Sequence, residues 1–211
     1  MKYKYNPPYL VKKIFRSFQW ESKCNKALLT FDDGPIPQTT ELILKKLNED
    51  NLKAVFFCVG DNIRKFPDLA EAIISEGHTI GNHTFNHKKL TGMNREESIK
   101  EIVSFNNLLQ DNFNFKVKYF RPPYGRFNLS TSFTLKKMNL QNVMWSLLTY
   151  DFKNDFSVVK SSVNYYLKNN SIIILHDSIK SSSIISDSIQ YIIDSAVLKN
   201  IQFGKPEECL R

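Results

Sequence analysis

Short apolar runs of strand length alternate with longer segments whose apolar residues recur every three or four positions. Ala27-Leu28-Leu29-Thr30-Phe31 is the first run, and residues 39–50 follow with Leu42, Ile43, Leu44 and Leu47 at helical spacing. Residues 53–60 form a second apolar run. Residues 67–76 predict a helix that opens on Pro67 and stops at Gly77. A strand over 78–82 comes next, then a helix from a capping box at Asn94 and Glu97 to about Gln110. Strands over 117–120, 143–148 and 172–175 alternate with helices over 130–138 and 156–167. A closing helix over 183–198 carries Ile184, Ile185, Ile189, Ile192 and Ile193. Repeated strand–helix units predict a mainly parallel sheet or barrel. With short strands and about seven units, the expectation is an α/β fold: a distorted (β/α) barrel of about seven parallel strands in one domain. No linker-like stretch divides it, so residues 1–25 read as an N-terminal extension and 26–211 as the domain.

Polar motifs stand where these strands stop, and catalytic groups gather at the carboxyl ends of strands in such folds. Asp32-Asp33-Gly34-Pro35 ends the first. Adjacent side chains of a strand point to opposite faces, so two carboxylates aimed at one cleft require a break, expected at Gly34 and Pro35. Such a pair can divide labour, one carboxylate on a cation and one held as a base. His83 and His87 are four apart, which on a helical turn places both imidazoles on one side. Two imidazoles and Asp33 leave a coordination position open for water and substrate. In Arg121-Pro122-Pro123-Tyr124-Gly125 the prolines stiffen a loop that can aim a backbone N–H at developing negative charge. Arg121 can fix a nearby carboxylate. His176 ends the most apolar strand and suits a general acid, with Asp151 to orient it and keep it protonated. Each motif alone has a plainer reading: a polar turn, exposed loop histidines, a surface arginine, a core histidine. His78 has no useful spacing and reads as structural, and Asp177 as a cap of the following segment.

In order and spacing, Thr30-Phe31-Asp32-Asp33-Gly34, His83-Thr84-x-x-His87, Arg121-x-Pro123-Tyr124-Gly125 and the Ile174-Leu175-His176 ending resemble the motif series of the polysaccharide deacetylases, also called the NodB homology domain or carbohydrate esterase family 4. The resemblance runs from about Ala27 to Leu198. It implies a distorted (β/α) barrel and hydrolysis of an N-acetyl group on a sugar. It also implies one divalent metal ion, usually zinc, on Asp33, His83 and His87. Asp32 would be the base, braced by Arg121. The backbone N–H of Tyr124 would stabilise the oxyanion, and His176, oriented by Asp151, would protonate the departing amine. Ile174 replaces the family's leucine at the acetate-methyl pocket. Leu148 and Phe152 stand where the family commonly has Asp and Trp, which alters the pocket's polarity and its wall against the sugar.

The same site could serve an esterase acting on O-acetyl groups or an amidase with a non-sugar substrate. A catalytically silent carbohydrate-binding protein is the rival from another class, though a binder has no need of Asp32. A two-metal phosphoesterase lacks further clustered carboxylates.

At 211 residues, 42% hydrophobic and 24% charged, the chain suits one soluble domain. It has no apolar run of the roughly 18 residues needed to span a bilayer, and no apolar stretch of a secretory signal near Met1. Cys24, Cys58 and Cys209 form neither a metal spacing nor an even-numbered disulfide framework, and Cys58 sits in an apolar run. These features lead to the expectation of a cytoplasmic protein. The net charge of +8 is spread along the chain without the aromatic-basic pattern of a nucleic-acid module, so nucleic acid is not an expected partner; an acetylated carbohydrate is the partner the resemblance implies. Residues 9–18 could form a short basic amphipathic helix, packed on the domain or lying peripherally on the anionic inner face of a membrane. Oligomeric state leaves no mark in the sequence.

Overall fold

The computed structural model describes residues 5–127 and 129–210. The first four residues of the expected N-terminal extension, and Arg211, lie outside them. The strands are β1 (Leu28–Asp32), β2 (Val55–Cys58), β3 (Thr79–Asn82), β4 (Tyr119–Phe120), β5 (Gln141–Asn142), β6 (Leu147–Leu148) and β7 (Ile172–His176). The helices are α1 (Tyr9–Ile14), α2 (Thr39–Glu49), α3 (Gly60–Lys65), α4 (Pro67–Ser75), α5 (Arg95–Phe113), α6 (Leu129–Lys137), α7 (Phe156–Tyr166), α8 (Ile185–Leu198) and α9 (Pro206–Cys209). All strand pairs are parallel, in the order β5-β4-β3-β2-β1-β7-β6, forming a curled half-barrel. The expected α/β architecture with seven parallel strands in a single domain is therefore present.

The period of two along each strand sorts its residues between two cores. Leu28, Val55, Phe57, Tyr119, Val143 and Ile172 pack together inside the curl, closed at one end by Cys209 and Leu210. Leu29, Phe31, Phe56, Ile173 and Leu175 point outward and pack under helical residues such as Ile43, Leu47, Phe105, Val159 and Ile189. Each fully buried side chain of this kind is worth roughly 1.5–3 kcal/mol. The inward register of β1 and β7 also carries Asp32 opposite His176 at the carboxyl edge. Gly81 on β3 leaves the space that the Phe57 ring occupies.

The strand expected over 143–148 divides in two. Val143 N–H still bonds to Phe120 O at 2.9 Å on the β4 side, whereas Ser146 N–H bonds to Ile172 O at 3.1 Å on the β7 side. Residues 143–146 thus cross the open seam between β5 and β6 instead of extending one ladder. The segment before β1 covers that seam. Gln19 forms a parallel bridge with Val143, and Phe18 and Trp20 are buried with Met144. Pairing of this sort removes an exposed sheet edge. α1 buries no residue: Tyr9, Leu10 and Ile14 are 75%, 68% and 69% exposed.

The capping box at Asn94 and Glu97 forms as expected, and α5 runs on to Phe113, ending at Asn114 in the left-handed conformation. α3, absent from the sequence pattern, follows β2 directly because β2 stops at Cys58. Among the described residues no helix is long and apolar enough to cross a membrane.

Candidate active site

Asp32 and Asp33 both reach one cleft because Asp33 takes a left-handed backbone, φ 80°, which breaks the alternation of β1. The break that the sequence suggested at Gly34 therefore lies one residue earlier. Gly34 instead makes room for a side chain, since a Cβ there would overlap the carboxylate of Asp177. Asp177 is buried, with one oxygen accepting from Thr40 Oγ1 at 2.6 Å and the other without a partner among the described residues. Burial pushes its carboxyl up to about 8. It braces the turn after β1 against α2, a role different from the expected cap.

His83 and His87 converge without a helical turn. His83 follows β3, and Thr84 and His87 have φ values of 66° and 54°, so the chain folds back as a loop. Glu101 of α5 holds that loop by accepting from Asn86 N–H at 2.7 Å and Asn86 Nδ2 at 2.8 Å. His83 Nε2 lies 3.6 Å and His87 Nε2 3.1 Å from Asp33 Oδ1. The three ligand atoms all fall within 4.8 Å of one another. His83 Nδ1 is 2.7 Å from the carbonyl of Arg121; a carbonyl only accepts, so Nδ1 carries the proton and Nε2 keeps its lone pair. Burial lowers His83 to about 4, which keeps the ring neutral. Burial alone would raise Asp33, but its hydrogen bond with His87 and the neighbouring charge of His176 hold it well below the usual carboxylate range. A carboxylate and two imidazoles converging on one point fit a divalent cation.

Arg121 is fully buried at the mouth of the curl. Its Nη1 donates to Asp32 Oδ1 at 2.6 Å and to Thr30 Oγ1 at 2.8 Å. Nε donates to Val143 O and Nη2 to Met144 O, both at 2.9 Å, so the guanidinium also laces the open seam. Its plane lies over Phe57, 4.0 Å from the ring centre. On the other side, Asp151 is fully buried and takes His176 by both oxygens: Oδ1 is 2.7 Å from Nδ1 and Oδ2 accepts the His176 backbone N–H at 2.6 Å. Thr149 Oγ1 donates to Ile174 O at 2.7 Å and touches Asp151 Oδ1 at 3.0 Å. Burial would lower His176, yet the charge and hydrogen bond of Asp151, with Asp33 and Asp32 nearby, raise it to about 9.

Asp32, Asp33, His83, His87 and His176 line one cleft of about 760 Å³. Leu148, Ile174 and Trp145 supply apolar wall, and the Phe152 ring stands edge-on to His176 at 4.7 Å. Tyr124 sits in a turn at φ 58° with its ring 4.7 Å from that of His87. Arg121 and Asp151 stand behind the lining residues, so all eight residues singled out from the sequence meet at this cleft. Sequence reasoning misses Thr30, Thr149, Glu101 and the bracing role of Asp177. Thr30 is within its reach, since it lies two positions before Asp32 on the same face of β1. His78 lies elsewhere, accepting from Ala54 N–H at 3.2 Å, a structural role as expected.

The family model described as polysaccharide deacetylase matches residues 20–143. The chain belongs to the polysaccharide deacetylase family. It is 38% identical over 139 residues to a peptidoglycan-N-acetylglucosamine deacetylase of Bacillus cereus, covering 65% of this chain and 50% of that relative. It is also 38% identical over 132 residues to chitin deacetylase 1 of Saccharomyces cerevisiae, covering 63% and 42% respectively. The chain thus spans half or less of the length of these two curated relatives. Among solved structures, the Bc1960 peptidoglycan N-acetylglucosamine deacetylase, crystallised with a naphthalenyl N-oxidanyl-benzamide, superposes with a TM-score of 0.88 at 28% identity, covering 96% of both chains. The match to the polysaccharide deacetylase fold extends well beyond the segment that the family model spans.

Two outcomes follow for this polysaccharide deacetylase site. Arg121→Met leaves Asp32 buried without its counter-ion and should cost about 3–5 kcal/mol in urea unfolding; a loss under about 1 kcal/mol would contradict the bracing role. In a histidine NMR titration, His176 should release its proton near pH 9 and Asp151→Asn should bring that midpoint down by about 1–3 units. Because the folded chain binds this proton more tightly than the unfolded chain, its stabilising contribution is complete below about pH 6.5 and is lost as pH rises through about 9.

Proposed function

We propose that this chain is a metal-dependent carbohydrate N-deacetylase, which hydrolyses the N-acetyl group of an N-acetylated sugar and releases acetate. One observation carries the reading: Asp32 and His176 face each other in register across β1 and β7, each with its own buried counter-ion, beside the Asp33–His83–His87 cluster. Asp33, His83 and His87 would hold one divalent ion, zinc being the natural fit for one carboxylate and two imidazoles. Such an ion polarises the acetyl carbonyl and lowers the pKa of water.

The residues divide the proton transfers. Asp32, held in one orientation by Arg121, accepts a proton from the attacking water. The turn carrying Tyr124 presents its backbone N–H to the oxygen on which negative charge develops. His176 starts as an imidazolium, because Asp151 holds its proton, and delivers that proton to the departing amine nitrogen. Leu148 and Ile174 give the acetyl methyl an apolar seat. The two curated relatives act, by their names, on peptidoglycan and chitin, which share N-acetylated glucosamine as a chemical class.

Acetate release should be larger from an N-acetylglucosamine oligomer than from O-acetylated xylan, should vanish on chelation and should return with added zinc. Asp32→Asn should lower the rate at least ~10²-fold. Wild-type turnover in that variant would remove Asp32 from the role of base, and preference for the O-acetyl substrate would make the protein an esterase.

A second property is favoured by α1. Tyr9, Leu10 and Ile14 form an exposed apolar strip beside the exposed Lys13 and Arg16. We propose that this strip rests on an anionic bilayer surface, each basic group there being worth about 1 kcal/mol. The chain should co-sediment with phosphatidylserine-containing vesicles and not with phosphatidylcholine alone, and Leu10→Asp with Ile14→Asp should abolish it. Equal sedimentation of the variant would refute the contact.

A further inference from the structure

Spacing along the chain gives the three cysteines no shared role, yet the fold brings two of them together. Cys24 and Cys209 are 185 positions apart, and their Sγ atoms lie 2.9 Å from each other. Cys24 lies on the segment leading into β1, and Cys209 ends α9. Those segments are joined by bonds that do not involve sulfur. Lys23 N–H donates to Cys209 O at 3.1 Å, Ala27 N–H to Gln202 O at 2.8 Å, and Gly204 N–H to Ala27 O at 2.9 Å. Lys26 pairs with Glu208 at 3.1 Å. The thiols are therefore placed by the surrounding backbone. Gly204 makes room for both: a Cβ there would overlap Cys209 Sγ and come within 3.1 Å of Cys24 Sγ. Closure to the bonding distance of about 2.05 Å needs a movement of under ~1 Å.

We propose that Cys24 and Cys209 are a covalent modification site, a dithiol that converts reversibly to an intramolecular disulfide. The oxidant is a small-molecule disulfide. Burial alone would raise Cys24, but hydrogen bonds with Cys209 and Ser22 bring it below the ordinary thiol value. Cys209 is pushed up to about 12 by burial and by its bond to Cys24. Cys24 is also the more exposed of the two, so it attacks first. Its thiolate displaces one thiolate from the oxidant and forms a mixed disulfide. Cys209 gives up its proton to the released thiolate and attacks Cys24 Sγ, expelling the second thiolate, which takes from solvent the proton that Cys24 released on ionising. The protein loses two hydrogens, and the oxidant leaves as two thiols. Cys58 is fully buried and its thiol is raised well above its usual value, so it stays reduced.

The cross-link closes a loop of nearly the whole chain and so restricts the unfolded state strongly. The test incubates the full chain with oxidised glutathione, or with dithiothreitol, then alkylates it under denaturing conditions. The dithiothreitol sample should show three alkylated cysteines and the oxidised sample one. Proteolysis should recover the Cys24 peptide joined to the Cys209 peptide. The melting temperature should rise by roughly 4–16 °C on oxidation. Cys24→Ser and Cys209→Ser should each abolish the oxidation-dependent rise, and Cys58→Ser should keep it. Three free thiols after oxidation, a persistent glutathione adduct, a link through Cys58 or a covalent dimer would each overturn the proposal. The thiol count on the unsubstituted chain decides the matter even if a serine variant fails to fold.

Discussion

The buried ion pair of Arg121 and Asp32 is the interaction on which the rest depends. It sits where the curled sheet fails to close, and the guanidinium directs its donors to both problems at once. Two of its bonds tie the crossing segment at Val143 and Met144, and the others fix Asp32 and Thr30 on the central strand. A closed barrel would satisfy its own edges through strand pairing. Here one side chain supplies part of that closure and thereby enters the pocket with a positive charge. The fold's irregularity and the chemistry of its cleft share one cause.

A second buried pair, Asp151 with His176, mirrors the first across β1 and β7, with opposite consequences. Arg121 remains a cation at all physiological pH, and its Nη1 fixes the orientation of Asp32. Asp151 faces a group that can titrate, so it stabilises a proton that can be given away. Replacing a whole buried pair of this kind by apolar residues can be neutral, whereas removing one partner strands the other charge and is costly. Surrounding threonines take up the leftover hydrogen-bonding capacity, which is why Thr30 and Thr149 are fully buried despite their hydroxyls.

What the sequence reveals and what it hides divide along the range of the interactions. Strand–helix alternation and the Asn94–Glu97 cap are local, and they are legible. The identities of Asp32, Asp33, His83, His87, Arg121, Tyr124, Asp151 and His176 are legible too, because each stands at or just beyond the end of an apolar run. Long-range geometry is not. Nothing in the run over 143–148 says that it crosses from one sheet edge to the other. The spacing of His83 and His87 suggests a helical turn, whereas left-handed residues and Glu101, on a distant helix, set their convergence. The Cys24–Cys209 pair is invisible for the same reason, since counting cysteines says nothing about two chain segments that meet 185 positions apart.

Asp33, Thr84, His87, Tyr124 and Tyr150 all adopt positive φ, a region that side chains other than glycine enter at a cost of order 1–3 kcal/mol each. Two of the five, Asp33 and His87, place their side chains in the cation-binding cluster, so at those positions glycine could relieve the backbone only by deleting the ligand. The surrounding structure must hold these residues in place against that strain. Attempts to harden the molecule against heat have least freedom in the loops that give it purpose.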